Sequence, residues 1–393
     1  MIKRIACAFL LSAIASMALA NEALANEAPA NEAHANEALA NKRVKVAAAA
    51  ESSRAAPATP KLAGVLVQNP IWKSYRSRFV TESGRVVDTA NAQISHSEGQ
   101  GYGMLLAVAA MDRDAFERIW GWTRANLMVR DDQLVAWAWD PATRPGVADL
   151  NNATDGDILI AWALVEAAEA WKDRAYAVAA RRIAVEVGRK LIILQSDEGM
   201  LLLPGASGYS AEDRSDGPVV NLSYYIFPAF QRLHLAAPEF NWAKLSQDGL
   251  KLINRARFGK VALPVEWTAL RGGQPAAAAG FPAVFGYNAI RIPLYMIWAG
   301  IVGENVIGTL VGASGVDGSR PLSVVDVASG RPVEALSSPG YSAISALHDC
   351  AVNGKRWPAA LNDIAPSEHY YPATLQLLAL SASISRWNSC GRG

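Results

Sequence analysis

The chain has 393 residues, of which 51% are hydrophobic and 19% are charged, so it can bury a sizeable core and need not be disordered. Its 37 basic and 36 acidic residues leave a net charge of +1, which gives no reason to expect nucleic acid or an acidic membrane surface as a partner. The 12 tryptophans suit either the core or a flat, weakly polar ligand.

The first 20 residues are typical of an export signal. Lys3 and Arg4 supply a positive region, residues 6–18 form an apolar stretch, and Ala18-Leu19-Ala20 fits a small-residue cleavage site. We therefore expect an exported protein, periplasmic or extracellular. The apolar stretch is too short for a stable transmembrane helix, and we expect no membrane span elsewhere in the chain.

A repeat of five residues follows the signal. Residues 21–40 read NEALA, NEAPA, NEAHA and NEALA, and the chain stays rich in alanine to about residue 60. A period of five matches neither a helix nor a strand, and the segment has almost no large side chains to bury. Residues 21–61 are therefore predicted to be a disordered linker, and residues 62–393 the folded domain.

Helical spacing of apolar residues dominates the folded domain. The pattern begins near Met104 and continues at 116–120, 158–171, 175–194, 219–235, 242–256, 293–301, 340–351 and 373–387. Strand patterns are few, and residues 200–203 predict one arm of a hairpin. Because no unit repeats at the length of a solenoid repeat, we expect an all-α toroid or bundle with a few short strands in loops.

Cysteine and histidine give no indication of a metal site. Cys7 would leave with the signal, and the remaining Cys350 and Cys390 are equally compatible with a disulfide and with two buried thiols. The histidines and cysteines lack metal-ligand spacing, and no glycine-rich phosphate loop follows a strand. We therefore expect neither a metal nor a cofactor.

The segment SEGQGYGM at residues 97–104 is the first candidate for chemistry. Ser97 and Gln100 predict a capping box that places Glu98 at the first helical position, where an acidic residue often serves only the helix dipole. Three glycines in five positions each disfavour a helix by about 1 kcal/mol relative to alanine. The three glycines therefore indicate that another group, from the protein or from a ligand, approaches this backbone closely.

The segment ATDGD at residues 153–157 repeats that arrangement. Thr154 and Asp157 predict a second capping box, which places Asp155 at the first position of its helix. If both helices are inner helices of a toroid and run the same way, their N-termini converge at one mouth. Glu98 and Asp155 would then face the same cavity.

Both segments resemble glycoside hydrolase family 8. SEGQ followed by YGM is similar to the acid-bearing segment of that family, and ATDGDILIAWALVEAAEAW, residues 153–171, resembles its signature over the full length. The likeness extends through Tyr224-Tyr225 and YNAIRIPL at 287–294, and so covers roughly residues 69–387. The resemblance implies an (α/α)6 barrel and hydrolysis with inversion at the anomeric carbon.

The resemblance implies that Glu98 is the general acid. Asp155 is the signature aspartate, described either as a nucleophile or as a residue that positions the sugar. A helix N-terminus favours the ionised form of Glu98, so burial or repulsion from a carboxylate such as Asp155 has to raise its pKa.

Position 288 departs from the family pattern. Many members carry an aspartate there, which serves as the base, whereas this chain has Asn288. Three accounts remain open. Another carboxylate activates the water, and the candidates are Asp155, Glu212, Asp213 and Asp216. Alternatively, Asn288 orients the water with Asp155 as the sole base, or the protein binds glucan without cleaving it.

Substrate contacts are expected from aromatic and polar residues near the motifs. The aromatic candidates are Tyr102, Trp137, Trp139, Tyr224, Tyr225 and Tyr287, and the polar ones are Asp157, Asn288 and Arg291. Arg291 could pair with Asp157 or with Asp155.

The expected function is endo-hydrolysis of β-1,4-glucan by an exported monomer. The resemblance is closest to the endoglucanases associated with bacterial cellulose synthesis, so a functional link to that machinery follows. Xylan, lichenin and chitosan are alternative substrates, and a non-catalytic β-glucan-binding protein is the alternative from another class.

Overall fold

The computed structural model describes residues 61–303, 310–312, 315, 322–387 and 390. The predicted signal peptide (1–20) and the predicted linker, apart from Lys61, lie outside these residues. Leu62 is 2% exposed, and its N–H donates to Glu166 Oε2 over 3.3 Å.

Helices are the dominant secondary structure of the described residues, as the periodicity predicted. They are α1 (Ile71–Phe79), α2 (Ser97–Ala109), α3 (Arg113–Asn126), α4 (Thr154–Trp171), α5 (Arg174–Glu186), α6 (Phe227–Leu233), α7 (Trp242–Arg255), α8 (Arg291–Ala299), α9 (Pro339–Asn353) and α10 (Tyr370–Arg386). Almost every residue of α2 and α8 is buried, as are the first fourteen residues of α4, whereas α3, α5 and α7 bury one face only. Inner helices thus alternate with outer ones along the chain, the arrangement of an (α/α)6 barrel.

The strands are short and lie in the connections between helices. They are β1 (Ser95–His96), β2 (Ala138–Trp139), β3 (Ile192–Ile193), β4 (Leu201–Leu202), β5 (Val219–Asn221), β6 (Trp267–Ala269), β7 (Ala276–Ala277), β8 (Val284–Phe285), β9 (Ser323–Asp326) and β10 (Arg331–Ala335). All pairings are antiparallel: β1 with β2, β3 with β4, β5–β6–β7 and β8–β9–β10. The predicted hairpin is confirmed as β3–β4.

One predicted helix is wrong over half of its length. The stretch 219–235 begins as strand β5, passes through a 3₁₀ turn, and becomes helical only at α6. Asn221 stabilises the turn, since its side-chain oxygen accepts from the N–H and the hydroxyl of Ser223. Pro228 then lies in the first turn of α6, where its fixed φ angle favours the start of a helix.

Cys350 and Cys390 form a disulfide with their Cα atoms 5.3 Å apart, which settles the choice between a bond and two free thiols. Among the described residues, no helix combines the length and the apolar character that crossing a membrane would need.

The three glycines of α2 lie against other parts of the protein. A Cβ on Gly99 would lie 2.8 Å from the Tyr370 hydroxyl, and a Cβ on Gly101 would lie 2.6 Å from Leu159 Cβ in α4. A Cβ on Gly103 would lie 2.8 Å from a methyl group of Val86. The expected close approach therefore exists, and the approaching groups belong to neighbouring elements of the same chain.

We expect Gly101→Ala to destabilise the protein by about 1–3 kcal/mol, because the added methyl group forces α2 away from α4 in a packed core. The matched control is Gly121→Ala in α3, where no atom lies within 4 Å of the new Cβ. That control should gain up to about 1 kcal/mol from helix propensity. Thermal unfolding of both variants checks this, and equal stabilities would show that α2 and α4 do not need the glycine.

Candidate active site

Glu98 and Asp155 meet because α2 and α4 start side by side. A Cβ on Gly156, the residue after Asp155, would lie 2.1 Å from Ser97 Oγ and 2.8 Å from the backbone nitrogen of Glu98. Only a glycine allows the first turns of the two helices to approach so closely. The expected convergence of the two helix N-termini is therefore confirmed.

Both predicted capping boxes are wrong. Ser97 Oγ makes no hydrogen bond to any part of the chain that the structure describes, and the Gln100 side chain accepts from Val86 N over 2.6 Å. The Thr154 hydroxyl donates to the carbonyl of Leu203 over 2.6 Å. Gln100 and Thr154 thus bind neighbouring segments of the chain and do not cap their own helices.

Arg291, the first residue of α8, joins the two carboxylates. It is 2% exposed, and its Nη1 contacts Glu98 Oε1 and lies 3.0 Å from Asp155 Oδ2. Its Nη2 donates to Ser223 Oγ over 3.0 Å and to Asn288 Oδ1 over 2.7 Å. Asp155 is one of the two partners that the sequence analysis anticipated for Arg291. The contact with Glu98 was not anticipated.

This cluster has two carboxylates and one guanidinium. Burial raises the pKa of Asp155 to about 7, whereas the side chain of Glu98 is still 19% exposed. Two carboxylates that share one cation in a poorly solvated site together retain a proton more readily than either would alone. The arrangement can therefore hold a proton beside Glu98 near neutral pH.

Two predicted substrate contacts require correction. Tyr102 is fully buried, and its hydroxyl donates to Glu98 Oε1 over 3.0 Å, so it orients the carboxylate and offers no surface to a sugar. Asp157 is also fully buried, and its carboxylate accepts from Val135 N over 2.8 Å and from Asn152 Nδ2 over 2.7 Å. Burial raises the pKa of Asp157 to about 7, and its hydrogen bonds connect α4 to the preceding loop.

Three of the other aromatic candidates differ in how much of the ring is exposed. Trp137 is 40% exposed and lies parallel to the His96 ring, with 8° between the planes and 6.3 Å between the centroids. Tyr287 is also 40% exposed. Tyr224 is 8% exposed, and the guanidinium of Arg291 lies 5.8 Å from its ring centroid. The exposed rings of Trp137 and Tyr287 suit the apolar faces of sugars, whereas Tyr224 is largely buried.

Two further aromatic candidates are part of the packed structure. Tyr225 is 1% exposed in the core, and Trp139 packs edge-on against another tryptophan. A parallel stack of Tyr209, Trp267 and Phe281 was missed by the sequence prediction. Its successive ring centroids are 5.6 and 4.6 Å apart. Its members come from strand β6 and from two separate loops, so no sequence spacing could indicate it.

Glu266 is the polar residue that sequence reasoning missed. It directly precedes β6, and its carboxylate accepts from both the backbone and the side chain of Asn288, over 2.7 and 3.3 Å. Burial raises the pKa of Glu266. The residue belongs to no motif and lies 22 positions from Asn288.

The acidic residues of the loop at 210–217 organise that loop. Asp213 accepts from the backbone of Gly208 and Ser210, and Asp216 forms an ion pair with Arg214. The third, Glu212, is exposed. Within the described residues, histidine, cysteine, aspartate and glutamate side chains form no group of three or more that could hold a metal ion.

Replacing Arg291 with Met should destabilise the protein by about 3–5 kcal/mol, because two carboxylates lose their buried partner. The loss should be larger at pH 8 than at pH 5. The pKa of Asp155 in the folded state, about 7, lies above its ordinary 3.8, so stability from this group falls as pH rises between those values. Without the guanidinium, the folded pKa rises further and the fall extends to higher pH.

Thermal unfolding at pH 5, 6.5 and 8 measures the effect of this substitution. Arg113→Met is the control, since Arg113 pairs with Glu117 on the exposed side of α3 and its loss should change stability little at any of these pH values. A loss of stability in Arg291→Met that does not depend on pH would contradict the proposed interaction between Arg291 and the two carboxylates.

Comparisons with known proteins agree with this geometry. The family model "Glycosyl hydrolases family 8" matches residues 56–384. A probable endoglucanase of Novacetimonas hansenii is 36% identical over 314 residues, which cover 79% of this chain and 89% of the relative. The solved structure of endo-β-1,4-glucanase CMCax from Acetobacter xylinum shares 33% identity with a TM-score of 0.72, over 82% of this chain and 98% of that one.

A second solved structure has the same fold. It is a family 8 endo-β-1,4-glucanase from an Achatina fulica gut metagenomic library, with 36% identity and a TM-score of 0.72, over 80% of this chain and 98% of that one. The expected (α/α)6 barrel is confirmed by the helices and by these neighbours. The chain belongs to glycoside hydrolase family 8 and is a glycoside hydrolase with cellulase-like relatives.

Proposed function

We propose that this protein is an endo-β-1,4-glucanase that cleaves with inversion and uses Glu98 as its general acid. The observation that carries the proposal is the cluster in which Glu98, partly exposed, shares Arg291 with the buried Asp155. A protein that only binds glucan would gain nothing from two carboxylates forced together at such a desolvation cost.

The chemistry requires a proton at the glycosidic oxygen as the bond breaks. Glu98 is the exposed member of its pair, so it can reach a bound sugar chain, while Asp155 stays 2% exposed behind it. Tyr102 and Arg291 hold Glu98 in one orientation. Asp155 lies 3.0 Å from the same guanidinium nitrogen and holds Arg291 in place.

A flat β-1,4-linked chain is the substrate that suits the site. The relatives named above are described as endoglucanases, and the exposed rings of Trp137 and Tyr287 offer flat apolar surfaces near the motifs. Xylan, lichenin and chitosan remain the alternative substrates within the family. Release of reducing ends from carboxymethylcellulose, xylan, lichenin and chitosan, measured side by side, identifies the substrate.

Export and a link to cellulose synthesis belong to the same proposal. Support comes from the signal-like residues 1–20 and from the likeness of the motifs to endoglucanases associated with that process. Fractionation of a tagged full-length chain between cytoplasm, periplasm and medium tests the location. Retention of the full-length chain in the cytoplasm would contradict it.

Glu98→Gln should lower kcat on cellohexaose by about 10²–10⁴-fold, because the amide keeps the shape of the side chain but cannot give up a proton. Binding of cellohexaose, measured by calorimetry, should stay close to that of the wild type. The matched control is Glu82→Gln, an exposed glutamate in a turn, which should leave kcat unchanged.

The anomeric form of the first product distinguishes inversion from retention. Proton NMR during early turnover should show the α-anomer formed from the β-linked substrate. A β-anomer would rule out the inverting mechanism. Full activity in the Glu98→Gln variant would rule out Glu98 as the acid, whatever the anomer.

A further inference from the structure

Asn288 occupies the position where a base was expected, and Glu266 lies directly against it. Asn288 N donates to Glu266 Oε1 over 2.7 Å, and Asn288 Nδ2 donates to Glu266 Oε2 over 3.3 Å. One residue therefore binds both carboxylate oxygens and fixes the plane of the group. Glu266 is partly exposed, so water can reach the lone pairs that remain.

A chain of contacts connects Glu266 to the acid. Glu98 contacts Nη1 of Arg291, whereas Nη2 of the same guanidinium contacts Asn288, whose amide nitrogen contacts Glu266. One guanidinium and one carboxamide thus link the two carboxylates, which belong to separate elements. An inverting enzyme needs its acid and its base on separate carboxylates, about 6.5–9.5 Å apart, so that a water molecule fits beside the sugar.

The other carboxylates near the site are less suitable as bases. Asp155 is 2% exposed, with Oδ1 accepting from Gly156 N and Oδ2 bound to Arg291. Glu334 lies on the exposed strand β10 and accepts from the Tyr287 hydroxyl over 2.5 Å. Asp213 and Asp216 are engaged in their own loop.

We propose that Glu266 is the catalytic base of this enzyme and that Asn288 positions it, an inference that rests on the proposed inverting function. Water attacks the anomeric carbon, and its proton passes to the Glu266 carboxylate. The bond from that carbon to the glycosidic oxygen breaks, and the oxygen takes the electron pair together with the proton of Glu98. Solvent then removes the proton from Glu266 and returns one to Glu98.

Burial supports this assignment, because it raises the pKa of Glu266 and so makes the carboxylate a better proton acceptor once it is ionised. The hydrogen bonds from Asn288 act in the opposite direction, since they favour the ionised carboxylate.

The test uses the full-length enzyme and cellohexaose. Glu266→Gln should lower kcat by about 10²–10⁴-fold while cellohexaose binding and thermal unfolding stay near those of the wild type. Glu266→Asp should keep part of the activity and the acidic limb of the pH profile, which the Gln variant should lose. Glu82→Gln, in an exposed turn, is the matched control and should behave as the wild type.

Azide distinguishes a base from a structural residue. The azide anion attacks the anomeric carbon without needing a base, so it should restore turnover to Glu266→Ala and yield the α-glycosyl azide. It should not restore Glu98→Gln, since the leaving oxygen of cellohexaose still lacks its proton. Asn288→Asp should lower activity, because it places a second negative charge against Glu266.

Three results would each overturn the inference. They are a kcat in Glu266→Gln above about one tenth of the wild-type value, an inactive Glu266→Ala that azide does not restore, and a gain of activity in Asn288→Asp. Loss of the acidic limb in Glu334→Gln but not in Glu266→Gln would move the base to Glu334. Failure of the wild type to release reducing ends would instead overturn the proposed function, so the two failures are distinguishable.

Discussion

The buried guanidinium of Arg291 is the contact on which the rest of the site depends. Two helix starts bring carboxylates to the same place, and only a cation between them makes that arrangement tolerable in a poorly solvated core. The same group reaches Ser223 and Asn288 with its second nitrogen. A single side chain therefore sets the positions of residues from α2, α4, α8 and the turn before α6.

The packing of α2 against α4 serves the same end. Gly101 and Gly156 remove the side chains that would otherwise separate the helices, so the carboxylates are close because the backbones are close. Glycine in a helix lowers its intrinsic stability, and the tertiary contacts of almost fully buried inner helices offset that loss. The unusual composition of the first motif thus has a packing cause as well as a chemical consequence.

Much of the fold and part of the candidate site could be predicted from the sequence, because helical periodicity and two contiguous motifs are local signals. Glu98 and Asp155 were identified in this way, and so were the helices that carry them. The roles of Tyr102 and Asp157 were misjudged, since a motif shows that a residue is near the site but not whether its side chain is exposed. Glu266 lies far from Asn288 in sequence, and the Tyr209–Trp267–Phe281 stack combines distant segments, so only the folded chain brings these partners together.

The asparagine at position 288 has a physical rationale in this arrangement. Arg291 already pairs with two carboxylates through Nη1. A third carboxylate at Nη2, in the place of Asn288, would leave two uncompensated negative charges in a buried cluster. The uncharged carboxamide of Asn288 accepts a hydrogen bond from Nη2 of Arg291 and donates another to Glu266. Glu266 is then one group removed from the cation, so its negative charge is less stabilised and its affinity for a proton stays higher. The amide of Asn288 therefore separates the positive charge of Arg291 from Glu266, the carboxylate proposed to accept the proton.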